Sequence, residues 1–183
     1  MTAHYLAPLF APRSIALFGA SNRMDSVGGI VYRNLLEAGF EGPVFAINPK
    51  HETVQERPAF RSLAATGADV DLAVVATPAA GIPAIVDECG EHGIPMMLIL
   101  SAGFREIGEA GRRLEDEVVQ RARRHGIRLM GPNCLGIIRP DVGVNLTFGN
   151  NNAAPGNLAL VSQSGAICTA ILDWADENLS LIH

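Results

Sequence analysis

The sequence predicts an α/β fold built on a doubly wound parallel sheet, followed by the beginning of a second unit. Three observations carry this. Short apolar runs recur along the chain and are continuous rather than alternating, as in strands buried on both faces. Amphipathic helical stretches lie between them, so strand and helix alternate strictly. Each strand also ends in a small or polar cluster, and all five clusters fall on the edge where open parallel sheets bind ligands.

The elements follow in order. Residues 15–18 (Ile-Ala-Leu-Phe) read as the first strand, and 27–38 as a helix stopped by Gly39. Residues 44–47 form the second strand and 72–76 the third. Ile82, Ile85, Val86 and Cys89 then fall at i, i+3, i+4 and i+7 of a helix that Gly93 closes. Residues 96–100 make the fourth strand. Ala110, Leu114, Val118 and Ala122 line one face of the next helix, with Glu, Asp and Arg opposite and Gly126 at its end. Residues 127–130 make the fifth strand. Right-handed strand–helix–strand crossovers wind such a series into a Rossmann-like sheet.

The pattern changes after Pro140. Residues 149–156 are a polar, turn-rich linker, 158–161 start a new strand and 166–177 a new helix. The expected organisation is a first domain over 1–148, a linker over 149–156 and the truncated start of another domain over 157–183. One strand and one helix close no core alone, so the chain is expected to be a piece of a longer protein.

Composition narrows the function classes. With 183 residues and 48% hydrophobic side chains, a sizeable core can be buried. A net charge of −5 disfavours a dedicated nucleic-acid binder, while leaving room for a local basic patch that grips phosphate. Apolar runs such as 96–100 are too short for a bilayer, and Met1-Thr2-Ala3-His4 lacks the features of a signal peptide. Cys89, Cys134 and Cys168 are too widely spaced for a disulfide framework or a zinc knuckle. A reduced, cytoplasmic setting is expected, with no membrane partner and no metal.

The strand-end loops carry the candidate site. Gly19-Ala20-Ser21-Asn22-Arg23, running to the helix start at Val27-Gly28-Gly29, suits a phosphate, because glycines let backbone approach an anion and a helix N-terminus points free N–H groups at it. A tight strand-to-helix turn explains the same residues. Asn48-Pro49-Lys50 follows the second strand, where a classical NAD site places an acid for the ribose hydroxyls. Lys50 fits a ribose phosphate instead, which keeps coenzyme A and NADP and disfavours NAD. An ordinary surface lysine is the competing reading. Thr77-Pro78-Ala79 and Ser101-Ala102-Gly103-Phe104 end the third and fourth strands. Gly131-Pro132-Asn133-Cys134-Leu135-Gly136 ends the fifth, and Cys134 has no histidine base within its loop, so it reads as a pocket-lining or turn residue rather than a nucleophile. Ser164-Gly165 opens the last helix either as a phosphate cradle or as an ordinary N-cap.

Taken together, Gly19-Ala20-Ser21, Asn48-Pro49-Lys50, Ser101-Ala102-Gly103-Phe104 and Gly131-Pro132-Asn133-Cys134-Leu135-Gly136 resemble the N-terminal domain of NDP-forming acyl-CoA synthetases and of the succinyl-CoA synthetase α subunit, over residues 8 to 179. The resemblance implies a coenzyme A site. Gly19, Ser21, Asn22, Arg23 and Val27 would face its nucleotide-phosphate end and Lys50 would meet a phosphate. Pro78, Ser101, Ala102 and Gly103 would line the pantetheine path, with Asn133 and Cys134 toward the thiol. Val161-Ser162-Gln163-Ser164-Gly165 resembles the start of the family's flavodoxin-like second domain, where Ser164 and Gly165 would cradle a phosphate carried by a histidine. ATP or ADP and Mg would belong to an ATP-grasp domain or β subunit outside this chain. The stretch 162–175 also looks like the branch fused to a GNAT lysine acetyltransferase. The resemblance therefore implies CoA or acyl-CoA as partner, leaves room for a homo-oligomer, and makes this chain inert alone. A nicotinamide-dinucleotide redox sensor or dehydrogenase domain is the alternative from a different class.

Overall fold

The computed structural model describes residues 4–179. In chain order its elements are α1 (Ala7–Phe10), β1 (Ile15–Phe18), α2 (Val27–Glu37), β2 (Val44–Ile47), β3 (Thr53–Val54), β4 (Arg57–Phe60), β5 (Leu72–Val75), α3 (Ile82–Glu91), β6 (Met96–Ile99), α4 (Glu109–His125), β7 (Arg128–Met130), β8 (Ile138–Arg139), β9 (Val144–Asn145) and α5 (Gly165–Leu179). Seven strands form one sheet in the order β3-β4-β2-β1-β5-β6-β7, and β8 and β9 form a separate antiparallel pair. Every pairing in the large sheet is parallel except the hairpin between β3 and β4 at its edge. The chain leaves β1 toward β2 on one side and returns to β5 on the other. That reversal is the topological switch point at which doubly wound sheets bind ligands.

Alternation along each strand sorts side chains into two cores. Ile15, Leu17, Leu72, Val74 and Leu98 face α2 with its Val31, Tyr32 and Leu35. Ala16, Phe18, Ala73, Val75, Met97 and Ile99 face α3 and α4, meeting Ile82, Val86, Cys89, Val118 and Ala122. Both faces are therefore covered, which explains why β1, β5 and β6 are apolar at every position. Gly126 ends α4 in the left-handed conformation, where a side chain would be strained.

Two features depart from the expectations above. The two-residue edge strand β3 and its partner β4 were not anticipated. Past Pro140, Val144 and Leu146 are fully buried beneath α2 beside Ile137, in the same core as β1. Residues 158–161 do not form a strand: Leu158 is 91% and Val161 96% exposed, and no neighbouring strand supplies the hydrogen bonds that hold extended backbone. The expected helix after it is present as α5. The last four residues of the unit expected over 157–183 lie outside the described residues. No helix among the described residues is long and apolar enough to cross a membrane.

Candidate coenzyme A cleft

The ends of β1, β2, β5 and β6 open into a cleft of about 910 Å³. Its floor is laid by backbone. Gly19 leaves β1 with φ +88, and a Cβ there would press on the carbonyl of Ala76 at 2.8 Å. The main chain then crosses to α2, which abuts the loop so closely that a Cβ on Gly28 would collide with the Gly19 carbonyl oxygen and one on Gly29 with that of Arg23. Glycine is therefore required at these positions for the helix N-terminus to reach the cleft. Ser26 caps α2 by accepting from Gly29 N at 3.1 Å. The N–H groups of Val27 and Gly28, which have no intrahelical acceptor, are left for an anion or water.

Of the residues singled out in the sequence, Gly19, Ser21, Arg23, Val27, Lys50, Pro78, Ser101, Ala102 and Asn133 line this cleft. Several do so while holding the loops in shape. Ser21 Oγ accepts from Arg23 N at 3.0 Å, and Ser101 Oγ donates to Thr77 O at 2.6 Å, tying the end of β6 to that of β5. Asn133, at φ +52, follows the cis Gly131–Pro132 bond and donates its N–H to Ser101 O at 3.0 Å.

Five others lie elsewhere. Asn22 turns away to the β3–β4 hairpin: its carboxamide accepts from Gln55 N at 2.7 Å and donates to Thr53 O at 3.2 Å. Gly103 sits behind the cleft, its N–H donated to the Glu106 carboxylate, which is held below the usual carboxylate range chiefly by that bond. Cys134 is set back against the core on the α2 side, its Sγ 3.5 Å from Ile99 O, and burial pushes its thiol up to about 11. At neutral pH it is a thiol and a poor nucleophile. Ser164 and Gly165 stand at the head of α5 and are not among the cleft-lining residues, although Gly165 lies beside Leu135. There Ser164 Oγ accepts from Ile167 N at 3.4 Å, the bond of an N-cap. Cys89, buried under α3, has its thiol raised further still by desolvation.

To Thr77 of the third strand-end loop the structure adds Arg61 and Phe148, which the sequence alone did not single out. Arg61, just past β4, brings a third cation to the rim alongside Arg23 and Lys50. Arg23 is held by Asp25 at 3.1 Å, with both side chains 75% exposed. Phe148 reaches the cleft from the far end of the domain because the buried Asn34 donates to Thr147 O at 2.9 Å and Gly149 O at 2.8 Å. Thr77 lines the wall, and its hydroxyl oxygen is buried without a hydrogen-bond partner. Such an orphan is uncommon in a folded protein.

The β2 end bears on which nucleotide fits. Asn48 uses its carboxamide internally, donating to Ala20 O at 2.8 Å and accepting from Lys50 N at 2.8 Å. Glu88 is the acid among the lining residues, and its Oε1 accepts from Leu63 N at 2.6 Å. A ribose diol thus finds no free carboxylate at the position where an NAD site offers one. A phosphorylated ribose meets cations.

Comparison with known proteins agrees with this geometry. The family described as "CoA binding domain" matches residues 13–140. The α subunit of ADP-forming acetate–CoA ligase I from Pyrococcus furiosus is 37% identical over 173 residues, covering 92% of this chain and 37% of that protein. The ADP-forming 4-hydroxybutyrate–CoA ligase of Nitrosopumilus maritimus is 37% identical over 171 residues, covering 92% of this chain and 24% of the ligase. Among solved structures, acetyl-coenzyme A synthetase 1 of Ca. Korarchaeum cryptofilum, in complex with phosphate and ADP, superposes with a TM-score of 0.88 at 35% identity, covering 93% of this chain and 36% of that one. The chain thus spans well under half the length of these relatives. With a Rossmann-like sheet, a glycine-paved helix N-terminus at its switch point and a family match over residues 13–140, the chain belongs to the CoA-binding domain family.

Proposed function

We propose that the cleft at the switch point holds coenzyme A and that the chain serves as the CoA-binding part of an NDP-forming acyl-CoA synthetase, a ligase joining an acid to the CoA thiol. One observation carries the placement: the α2 N-terminus and the cations Arg23, Lys50 and Arg61 converge on one cleft. CoA brings a diphosphate and a ribose 3′-phosphate, and the charges that would meet them come from three separate loops. Thr77, Pro78, Ser101 and Ala102 offer an apolar wall with a few polar atoms for the pantetheine arm, whose thiol end would run toward Asn133. The domain binds and orients. Acyl activation and nucleotide turnover are assigned to an ATP-grasp domain or β subunit, since the sequence contains no Gly-rich Walker loop. The relatives named as CoA ligases support the ligase reading over an acetyltransferase fusion. Among the described residues no group of His, Cys, Asp and Glu side chains is placed to hold a metal, and the cysteines are free thiols, which goes with a cytoplasmic setting.

Calorimetric titration with CoA, NADH and NADPH tests the proposal. Binding of CoA in preference to both dinucleotides is expected. Tight NADH binding without CoA binding would overturn it.

A further inference from the structure

The β3–β4 hairpin lies at the sheet edge, outside the cleft, yet its turn is strained and its side chains reach inward. Val54 pairs with Arg57 across a two-residue turn, and both turn residues have positive φ, 47 for Gln55 and 64 for Glu56. Such a turn ordinarily takes Asn-Gly, because residues with a Cβ resist the left-handed region. Gln55 nevertheless occupies its first position, half-buried, with its side-chain amide nitrogen donating twice. Nε2 donates to Ser21 O at 3.1 Å and to Gly29 O at 2.9 Å. These carbonyls belong to the two ends of the glycine loop, one just past β1 and the other in the first turn of α2. Asn22, inside the loop, fastens the same hairpin from its side by accepting from Gln55 N and donating to Thr53 O.

We infer that Gln55 is a positioning residue of the CoA site: its carboxamide bridges the two ends of the glycine loop and so sets the direction in which the Val27 and Gly28 N–H groups face the cleft. The strain fits this role, since an unfavourable backbone persists where the surrounding contacts require it. A residue serving only the turn would be glycine or asparagine. Glutamine is long enough to span from the turn to both carbonyls. The inference rests on the reading that the cleft takes CoA.

Four single variants of the 183-residue chain separate the roles. Gln55→Gly relaxes the turn and removes the carboxamide. Glu56→Gly relaxes the same turn and keeps it. Lys50→Ala tests the cleft reading independently. Each is titrated with CoA and with dephospho-CoA, and its melting temperature is measured. Gln55→Gly is expected to melt at or above the parent temperature while binding both ligands about five- to twenty-fold more weakly, as for the loss of one or two hydrogen bonds that preorganise a site. Glu56→Gly is expected to bind both as the parent does. Gln55→Asn, which tolerates the same backbone but falls short of the two carbonyls, should behave as Gln55→Gly. Unchanged CoA affinity in Gln55→Gly, at any melting temperature, overturns the proposal, as does an equal loss in Glu56→Gly. If Lys50→Ala weakens CoA while Gln55→Gly does not, the positioning role falls and the cleft reading stands. If neither variant alters CoA binding, both fall.

Discussion

Gly28→Ala sets two effects of known size against each other. At an exposed interior position of a helix the change would stabilise by about 1 kcal/mol, because alanine has the higher helix propensity. Gly28 is buried, and its new methyl would collide with the carbonyl oxygen of Gly19. Neither side yields easily. Gly19 is anchored by its N–H to Ile47 O at 3.1 Å and has no room toward Ala76, while α2 is fixed by the fully buried Val31, Tyr32 and Leu35. Overpacking against such surroundings costs about 1–3 kcal/mol. The clash wins, leaving a net destabilisation of up to about 2 kcal/mol, or a fall of roughly 4–8 °C in melting temperature for a chain of this size. The helix must also back away from the loop, withdrawing its N–H groups from the anion, and CoA affinity should fall about tenfold. Differential scanning calorimetry and CoA titration read both. A variant that melts a few degrees higher with undiminished CoA affinity would show that propensity acts alone, and that the helix N-terminus is not wedged against Gly19.

Lys50→Ala should weaken CoA by about 1–3 kcal/mol, the value of a charge-assisted contact, and dephospho-CoA much less; equal losses in competitive titration would move the lysine away from the 3′-phosphate. Asn34→Leu strips the carbonyls of Thr147 and Gly149 of their donor, so a stability loss of about 1–3 kcal/mol in urea is expected, with weaker CoA binding as Phe148 is released. Burial raises the Cys134 thiol from 9.0 to about 11, so its neutral form stabilises the native state fully below pH 9.0, and that contribution is lost as pH rises through about 11. Urea midpoints across this range should fall more steeply in the parent than in Cys134→Ala, and superimposable curves would place the thiol in solvent.

The residues themselves determine most of the framework. Apolar runs placed β1 and β2 at their observed ends and β5, β6 and β7 within one residue; in β1, β5 and β6 burial on both faces leaves no polar position to blur the pattern. Glycines marked the ends of α3 and α4 for a local reason, the left-handed backbone that each cap requires. The order of strand-end loops was enough to bring nine of the candidate residues to one cleft.

What only the tertiary structure decided depends on contacts distant in sequence. The turn at Gln55-Glu56 carries none of the usual turn residues, and its conformation is held by Asn22 and by the glycine loop more than twenty residues away. Arg61 and Phe148 become cleft residues through sheet order and the Asn34 tie, neither of which leaves a local signature. Asn22 and Cys134 sit in loops whose composition suits a ligand, yet one fastens a hairpin and the other packs into the core. Residues 158–161 have the composition of a strand and remain unpaired, because extended backbone is stabilised by a neighbour's hydrogen bonds and apolar composition supplies none.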